Sequence, residues 1–174
     1  MFLAQVTVEK RPGGVAAPAF FFPMEVVFER AVTNLLKQRL PDVRAQYGRT
    51  YRQRGGEPPR AVSYAADIVV GSPPGIVIDT KYSNGEVRNQ YGGWSLRNPN
   101  IYQAIFYGLS LGCPSVLVYP KVDRHLDLSF DIEGRTLTVL TVDLGGGMAG
   151  LEALVDRLTG IVQATSVASG KSRS

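Results

Sequence analysis

Apolar residues recur at helical spacing between Pro23 and Leu40, where Met24, Phe28, Ala31, Val32, Leu35 and Leu36 form one stripe and Pro41 ends it. Glu25 and Glu29 project beside Val32, Leu36 and Leu40 rather than opposite them, so both carboxylates lean toward the packed side. Glu25 also reads as a dipole-complementing acid on the edge of an amphipathic helix. Segments 44–54 and 61–70 alternate as strands, the first polar and arginine-rich, the second (AVSYAADIVV) increasingly apolar. The turn GSPPG leads into a strand at 76–82, where Ile76, Val77 and Ile78 are apolar on both faces before Asp79 and Lys81 interrupt the run. A second helix is expected from Asn98, as N-cap, with Pro99 at its first position and Gly112 as its stop. The apolar strand SVLVYP follows, then a hairpin of LDLSFDI and RTLTVLTV around Glu133-Gly134, a glycine run, and a helix from about Met148 to Val162. The order of helix, three strands, helix and strand defines an α/β fold with a mixed sheet.

This pattern places a single domain at residues 20–163. Residues 1–19 read as an N-terminal arm or the remnant of an upstream region, and 164–174 as a disordered tail. At 174 residues, with 44% hydrophobic and 20% charged, the chain can bury one substantial core. Its formal charge of +4 is concentrated: Arg44, Arg49, Arg52, Arg54 and Arg60 share one short segment, which suits a polyanion or else a solvated basic face. Cys113 is the only cysteine and His125 the only histidine. A disulfide framework, a zinc cluster and a Ser-His or Cys-His nucleophile system therefore lack parts. No apolar run reaches the roughly 18 residues of a membrane span, and the start lacks signal-peptide organisation. A soluble, cytoplasmic protein is the expectation.

The chemistry centres on the charged end of strand 76–82. Asp79 and Lys81 point to the same face, one pleat of about 7 Å apart. If the turn comprises Gly71 to Gly75, Val70 pairs with Ile76 and the same register sets Asp67 across from Asp79. Like charges so opposed destabilise a sheet, and burying either costs several kcal/mol without compensation. A divalent cation removes the conflict, and Mg²⁺, which binds through one or two carboxylates plus substrate phosphate, suits the donor set, with Mn²⁺ as a substitute. Asp67 and Asp79 are the expected ligands, the Thr80 carbonyl a third, and Glu29 a further one, direct or through water. Lys81 then serves as the base-side or charge-stabilising partner of a water attacking a phosphodiester. Taken alone, Asp-Thr-Lys reads better as an exposed ion pair at a strand end; Asp67 at the matching hairpin position, the inward Glu29 and the arginine-rich strand reverse that preference. On the second helix Gln103 and Tyr107 lie one turn apart, and Gln103 is a candidate to orient water, Lys81 or a phosphate oxygen, although packing alone explains the aromatics. Gly145 to Gly147 lack the Lys-Ser/Thr of a P-loop and read as a connector. His125 reads as exposed, and Trp94 as either a core cap or a loop residue over the site.

Glu29, Asp67 in AADIVV, Asp79 and Lys81 in IDTKY, and Gln103 in NIYQAIFYG together resemble the PD-(D/E)XK nuclease superfamily. More narrowly, FPMEVVFERAV, ADIVV, IVIDTKYS, NIYQAIFYGLSLG and VLVYP, in this order over roughly residues 20 to 145, resemble the endonuclease subunit of the McrBC 5-methylcytosine-dependent restriction system. The resemblance implies a restriction-endonuclease-like α/β core with an added C-terminal hairpin and helix. It also implies Mg²⁺-dependent DNA cleavage and a GTP-driven AAA+ partner that recognises the modified base. Arg49, Arg52, Arg54 and Arg60 are then phosphate contacts. A junction-resolving or repair nuclease of the same fold, or a noncatalytic nucleic-acid-binding module, are the alternative readings.

Overall fold

The structure, a computed structural model, describes residues 4–5 and 20–171, with side-chain environments for 22–165. Most of the expected N-terminal arm lies outside the described residues; what is described is a short antiparallel pairing of β1 (Ala4–Gln5) with β2 (Phe20–Phe21). Helix α1 (Met24–Arg39) begins behind Pro23, whose carbonyl accepts from the Val26 and Val27 amides, and buries Phe28, Val32, Thr33 and Leu36. Its apolar stripe is shorter than the sequence pattern implies, because Met24 is exposed.

Strands β3 (Val43–Arg52), β4 (Ala61–Val70) and β5 (Ile76–Thr80) follow as an antiparallel meander. A small hairpin that the periodicity does not signal, β6 (Glu86–Arg88) with β7 (Trp94–Leu96), precedes α2 (Asn98–Leu111). Arg97, not Asn98, is the N-cap of α2, without a side-chain cap bond, so Pro99 sits at the second helical position; Gly112, at φ 70°, makes the expected stop. Then come β8 (Ser115–Pro120), β9 (Asp127–Ile132) and β10 (Arg135–Val142), with Glu133 and Gly134 both at positive φ in the β9–β10 turn, as a two-residue hairpin of this twist requires. The glycine run forms a short 3₁₀ turn capped by Asp143, whose side chain accepts from the Gly145 amide at 3.0 Å. Helix α3 (Met148–Lys171) runs well past Val162, so the segment expected to be a disordered tail begins inside a helix.

The main sheet has six strands in the order β3-β4-β5-β8-β10-β9, with β5, β8 and β10 parallel and the rest antiparallel. This is the mixed sheet expected of a restriction-endonuclease-like fold. One face packs Ile68, Val70, Ile76, Ile78, Val116 and Val118 against Phe28, Val32 and Leu36 of α1 and Leu154, Val155 and Leu158 of α3. On the other face Ala104 and Tyr107 of α2 cover Val69, Val77, Leu117 and Val139. Coverage on both faces explains why Ile76 to Ile78 are apolar without alternation. No described helix is long and apolar enough to cross a membrane.

Strand lengths shape the end of the sheet that matters. β5 pairs with β4 only through Ile76↔Val70, Val77↔Val69 and Ile78↔Ile68, whereas β3 and β4 stay paired out to Arg52↔Ala61. The outer halves of β3 and β4 therefore overhang the C-terminal end of β5 as a two-stranded arm, about 20 Å long at roughly 3.3 Å per residue.

Candidate active site

The expected register holds from Val70↔Ile76 to Ile68↔Ile78 and then ends. At the next position Asp67 does not continue the ladder. Ala66 packs with Val69, Val77 and Tyr107 on the α2 side while Ile68 lies in the α1 cluster, so side-chain alternation slips at Asp67. Gln46, opposite it on β3, has φ 50° and is skipped by the β3–β4 pairing. The Asp67 carboxylate takes up the freed backbone donor: its Oδ2 accepts from the Thr80 amide at 2.8 Å and from the Thr80 hydroxyl at 3.1 Å. Asp67 is thus fixed beside the Asp79–Thr80 peptide rather than stacked face to face with Asp79, which corrects the simple cross-strand picture.

Asp79 lies one step earlier on β5, across from Leu117 of β8, and is 2% exposed. Among the described residues its one partner is Lys81, and Oδ1 has none. Lys81 Nζ lies 2.6 Å from Oδ2 as an ion pair, and Lys81 keeps 23% of its side chain exposed. Burial pushes the Asp79 carboxyl up to about 6; the Asp67 charge adds to the shift, Lys81 opposes it, and Glu29 adds a smaller push. A buried carboxylate with a second carboxylate alongside and one ammonium to offset them makes a local excess of negative charge.

The remaining expected residues divide by their contacts. Glu29, half-buried on α1, accepts from Gln46 Nε2 at 2.7 Å, so the flipped Gln46 tethers it at the same end of the sheet. Gln103 donates Nε2 to the Tyr107 hydroxyl at 2.7 Å, and that hydroxyl donates to the Ala65 carbonyl at 3.1 Å. Gln103 therefore acts on β4 through Tyr107, whose hydroxyl burial holds above the usual phenol range, with the Asp79 and Asp67 charges adding to it. Tyr102 is exposed. Arg49, Arg52, Arg54 and Arg60 are all exposed on the overhanging arm and its tip. Arg44 differs from them: it lies 4.6 Å from the Tyr47 ring centroid and donates to the Gly71 carbonyl, which commits it to the fold. The arm is braced on α2 by Tyr64, stacked on Tyr107 at 5.0 Å and hydrogen-bonded to Ser110 at 2.6 Å.

Sequence reasoning missed Gln46, the Thr80 side chain and Tyr119. Tyr119 is fully buried and stands on β8 two residues beyond Leu117, the partner of Asp79. Alternation from the paired Leu117 would have put Tyr119 beside Lys81; nothing local marks Gln46.

Among the described residues, no group of three or more His, Cys, Asp and Glu side chains is placed to hold an ion by itself. The donor set is nevertheless one that suits a hard divalent cation, since Asp79 Oδ1 is buried without a partner and Asp67 lies alongside as a second carboxylate.

Helix, antiparallel meander, helix and parallel strand, with Asp67, Asp79 and Lys81 gathered where the meander ends, define a restriction-endonuclease-like domain of the PD-(D/E)XK type. The family described as McrBC 5-methylcytosine restriction system component matches residues 1–120, and the chain belongs to that family. A search of curated proteins found no match. Among solved structures the chain is similar to a chain of the refined half-complex from the tetradecameric assembly of Thermococcus gammatolerans McrB AAA+ hexamers with bound McrC, with a TM-score of 0.53 and 18% identity. That likeness covers 83% of this chain and 34% of the other, and it speaks to the fold.

Proposed function

We propose that the chain is a Mg²⁺-dependent DNA endonuclease domain, the cutting component of a modification-dependent restriction system. The observation that carries this reading is the Asp79 carboxylate, buried with only the Lys81 ammonium as its partner and with a second carboxylate alongside. A protein core has no use for such a group unless something else completes it.

Asp79 and Asp67 would hold the ion, with Glu29 adding negative charge from α1. When bound, a divalent cation lowers the pKa of water and offsets charge on phosphorus. The chain's own residues do the rest. Asp67 is oriented by both Thr80 donors, so its second oxygen stays free. Lys81, as an ammonium tethered to Asp79, is positioned to stabilise the additional negative charge as water attacks phosphorus and the bridging P–O bond breaks. Gln103 and Tyr107 hold β4, and with it Asp67, in place. The exposed arginines of the arm meet the phosphate backbone on one side of the cut, so binding should fall steeply with salt.

None of the described residues at the site is placed to read a modified base, so we assign 5-methylcytosine recognition to a GTP-driven partner, the similar complex being one with AAA+ hexamers. The test is incubation of supercoiled plasmid with the protein and Mg²⁺ or Mn²⁺, with and without a candidate GTPase partner. Cleavage by wild type and its loss in Asp79→Ala and Lys81→Ala, each folded by circular dichroism, is the expected result. Wild-type cleavage by either variant would rule the assignment out.

A further inference from the structure

The stretch between β5 and α2 carries a second concentration of exposed chemistry. In the β6–β7 hairpin Arg88 pairs with Trp94 across the strands. Its turn is fixed from inside: Asn89 Oδ1 accepts from the Tyr91 amide at 3.0 Å and the Gly93 amide at 2.9 Å, and the Asn89 amide donates to the Gly93 carbonyl at 2.8 Å. The turn therefore presents Tyr91 from a set backbone, with 87% of the residue exposed. Behind it Trp94, 37% exposed, has two guanidinium groups over its ring, Arg88 at 5.2 Å and Arg124 at 4.6 Å. Arg124 is also held by Glu86 through contacts of 2.7 and 3.2 Å, whereas Arg88 has no carboxylate partner among the described residues.

The base of the hairpin is anchored beside the site. Gly85 lies so close to Tyr119 that a Cβ there would fall 2.8 Å from the ring, and the Gly85 carbonyl accepts from the Arg97 amide at 3.2 Å. Asn84 accepts from the Glu86 amide through Oδ1 at 3.1 Å and from Arg97 Nε through its carbonyl at 2.7 Å. Tyr119 and Arg124 sit at and beyond the C-terminal end of β8, which runs parallel to β5. The hairpin thus stands over the β8 side of the sheet end where Asp79 and Lys81 lie, and the arginine arm overhangs the β4 side of that same end.

We propose that the β6–β7 hairpin is a second DNA contact that grips the strand on the side of the cut opposite the arginine arm, Tyr91 stacking on a base and Arg88 meeting a phosphate. This rests on the nuclease reading and states where its substrate runs. A partner offering both phosphates and π faces uses the whole surface, since arginines neutralise the backbone and aromatic rings stack on bases. An acidic peptide would leave the Tyr91 ring unused.

Trp94 is the only tryptophan in the chain, so its emission reports on this hairpin. The full chain is titrated in EDTA with single-stranded and duplex oligonucleotides, following Trp94 emission and the anisotropy of labelled DNA, and Mn²⁺-dependent cleavage is assayed in parallel. Quenching of Trp94 on binding is expected. Tyr91→Ala should weaken binding by about 5- to 100-fold. Arg88→Ala should lower the salt slope by about 1. Thermal melting of both variants should match wild type, because neither side chain is buried. DNA binding with unchanged Trp94 emission and wild-type affinity in the Arg88→Ala/Tyr91→Ala double variant overturns the hairpin contact and leaves the nuclease reading standing if cleavage persists. Binding that depends on Tyr91 in a protein that never cuts supports the contact and removes the nuclease reading. A wild type that binds no DNA overturns both.

Discussion

Thr80 gives two hydrogen bonds, from its backbone amide and its hydroxyl, to a single oxygen of Asp67. That fork converts the end of a β ladder into a clamp on a carboxylate, and it leaves the other Asp67 oxygen available. Outer contacts of this kind orient metal-binding carboxylates and are typically worth 10- to 100-fold in affinity. Thr80→Val keeps the amide and loses the hydroxyl, so Mn²⁺ affinity measured by calorimetry should fall about tenfold with little change in melting temperature.

Asp79 adds its own pH dependence to the metal-free fold. Its folded carboxyl is raised to about 6 from 3.8, first by burial and then by Asp67. Between those values the folded state binds more protons than the unfolded one, so stability falls as pH rises through that window, and the cost persists above it. At 1.36 kcal/mol per unit the penalty at neutral pH is on the order of 3 kcal/mol. Asp79→Asn should therefore melt higher than wild type at pH 7 in EDTA, and the gap should shrink toward pH 4. Urea titrations across that range check it.

Gly85 is required by Tyr119 rather than by a turn. A Cβ at this position would meet three ring atoms at 2.8 to 3.2 Å in a fully buried side chain that cannot retreat. Overpacking of this sort costs about 1–3 kcal/mol. Gly85→Ala should lower the urea midpoint accordingly, whereas Gly92→Ala, in the exposed turn of the hairpin, meets nothing within 4 Å and pays only for its positive φ.

Tyr107 separates positioning from chemistry. Tyr107→Phe leaves the Ala65 carbonyl and the Gln103 amide without their partner, at about 1–3 kcal/mol. Cleavage should drop by no more than about tenfold, in contrast to its abolition by Asp79→Ala. Gln103→Ala should behave like Tyr107→Phe, and a cycle of the two should show strong coupling.

The meander and its register were legible because the glycine-bounded turn and the apolar run from Val69 to Ile78 permit only one alignment. Asp79 and Lys81 stood out as charges in a strand apolar on both faces. The slip at Asp67 and Gln46 was not legible, since a positive φ at a glutamine is imposed by tertiary contacts, here Glu29 on α1, and leaves no local mark. The β6–β7 hairpin was hidden for a related reason: its strands are three residues each, too short for alternation to register, and its order comes from Asn84, Asn89 and Arg124. Gln103 was found by its helical spacing to Tyr107, but only the geometry shows that it works through that phenol.

Calorimetric titration of Mn²⁺ into wild type, Asp67→Asn and Asp79→Asn tests the central claim most directly, because it reads the ion site without DNA or a partner. The account predicts a binding site in wild type that is lost in Asp79→Asn and weakened at least tenfold in Asp67→Asn, with all three proteins folded. Wild-type affinity in both variants, or no binding by wild type, would contradict it.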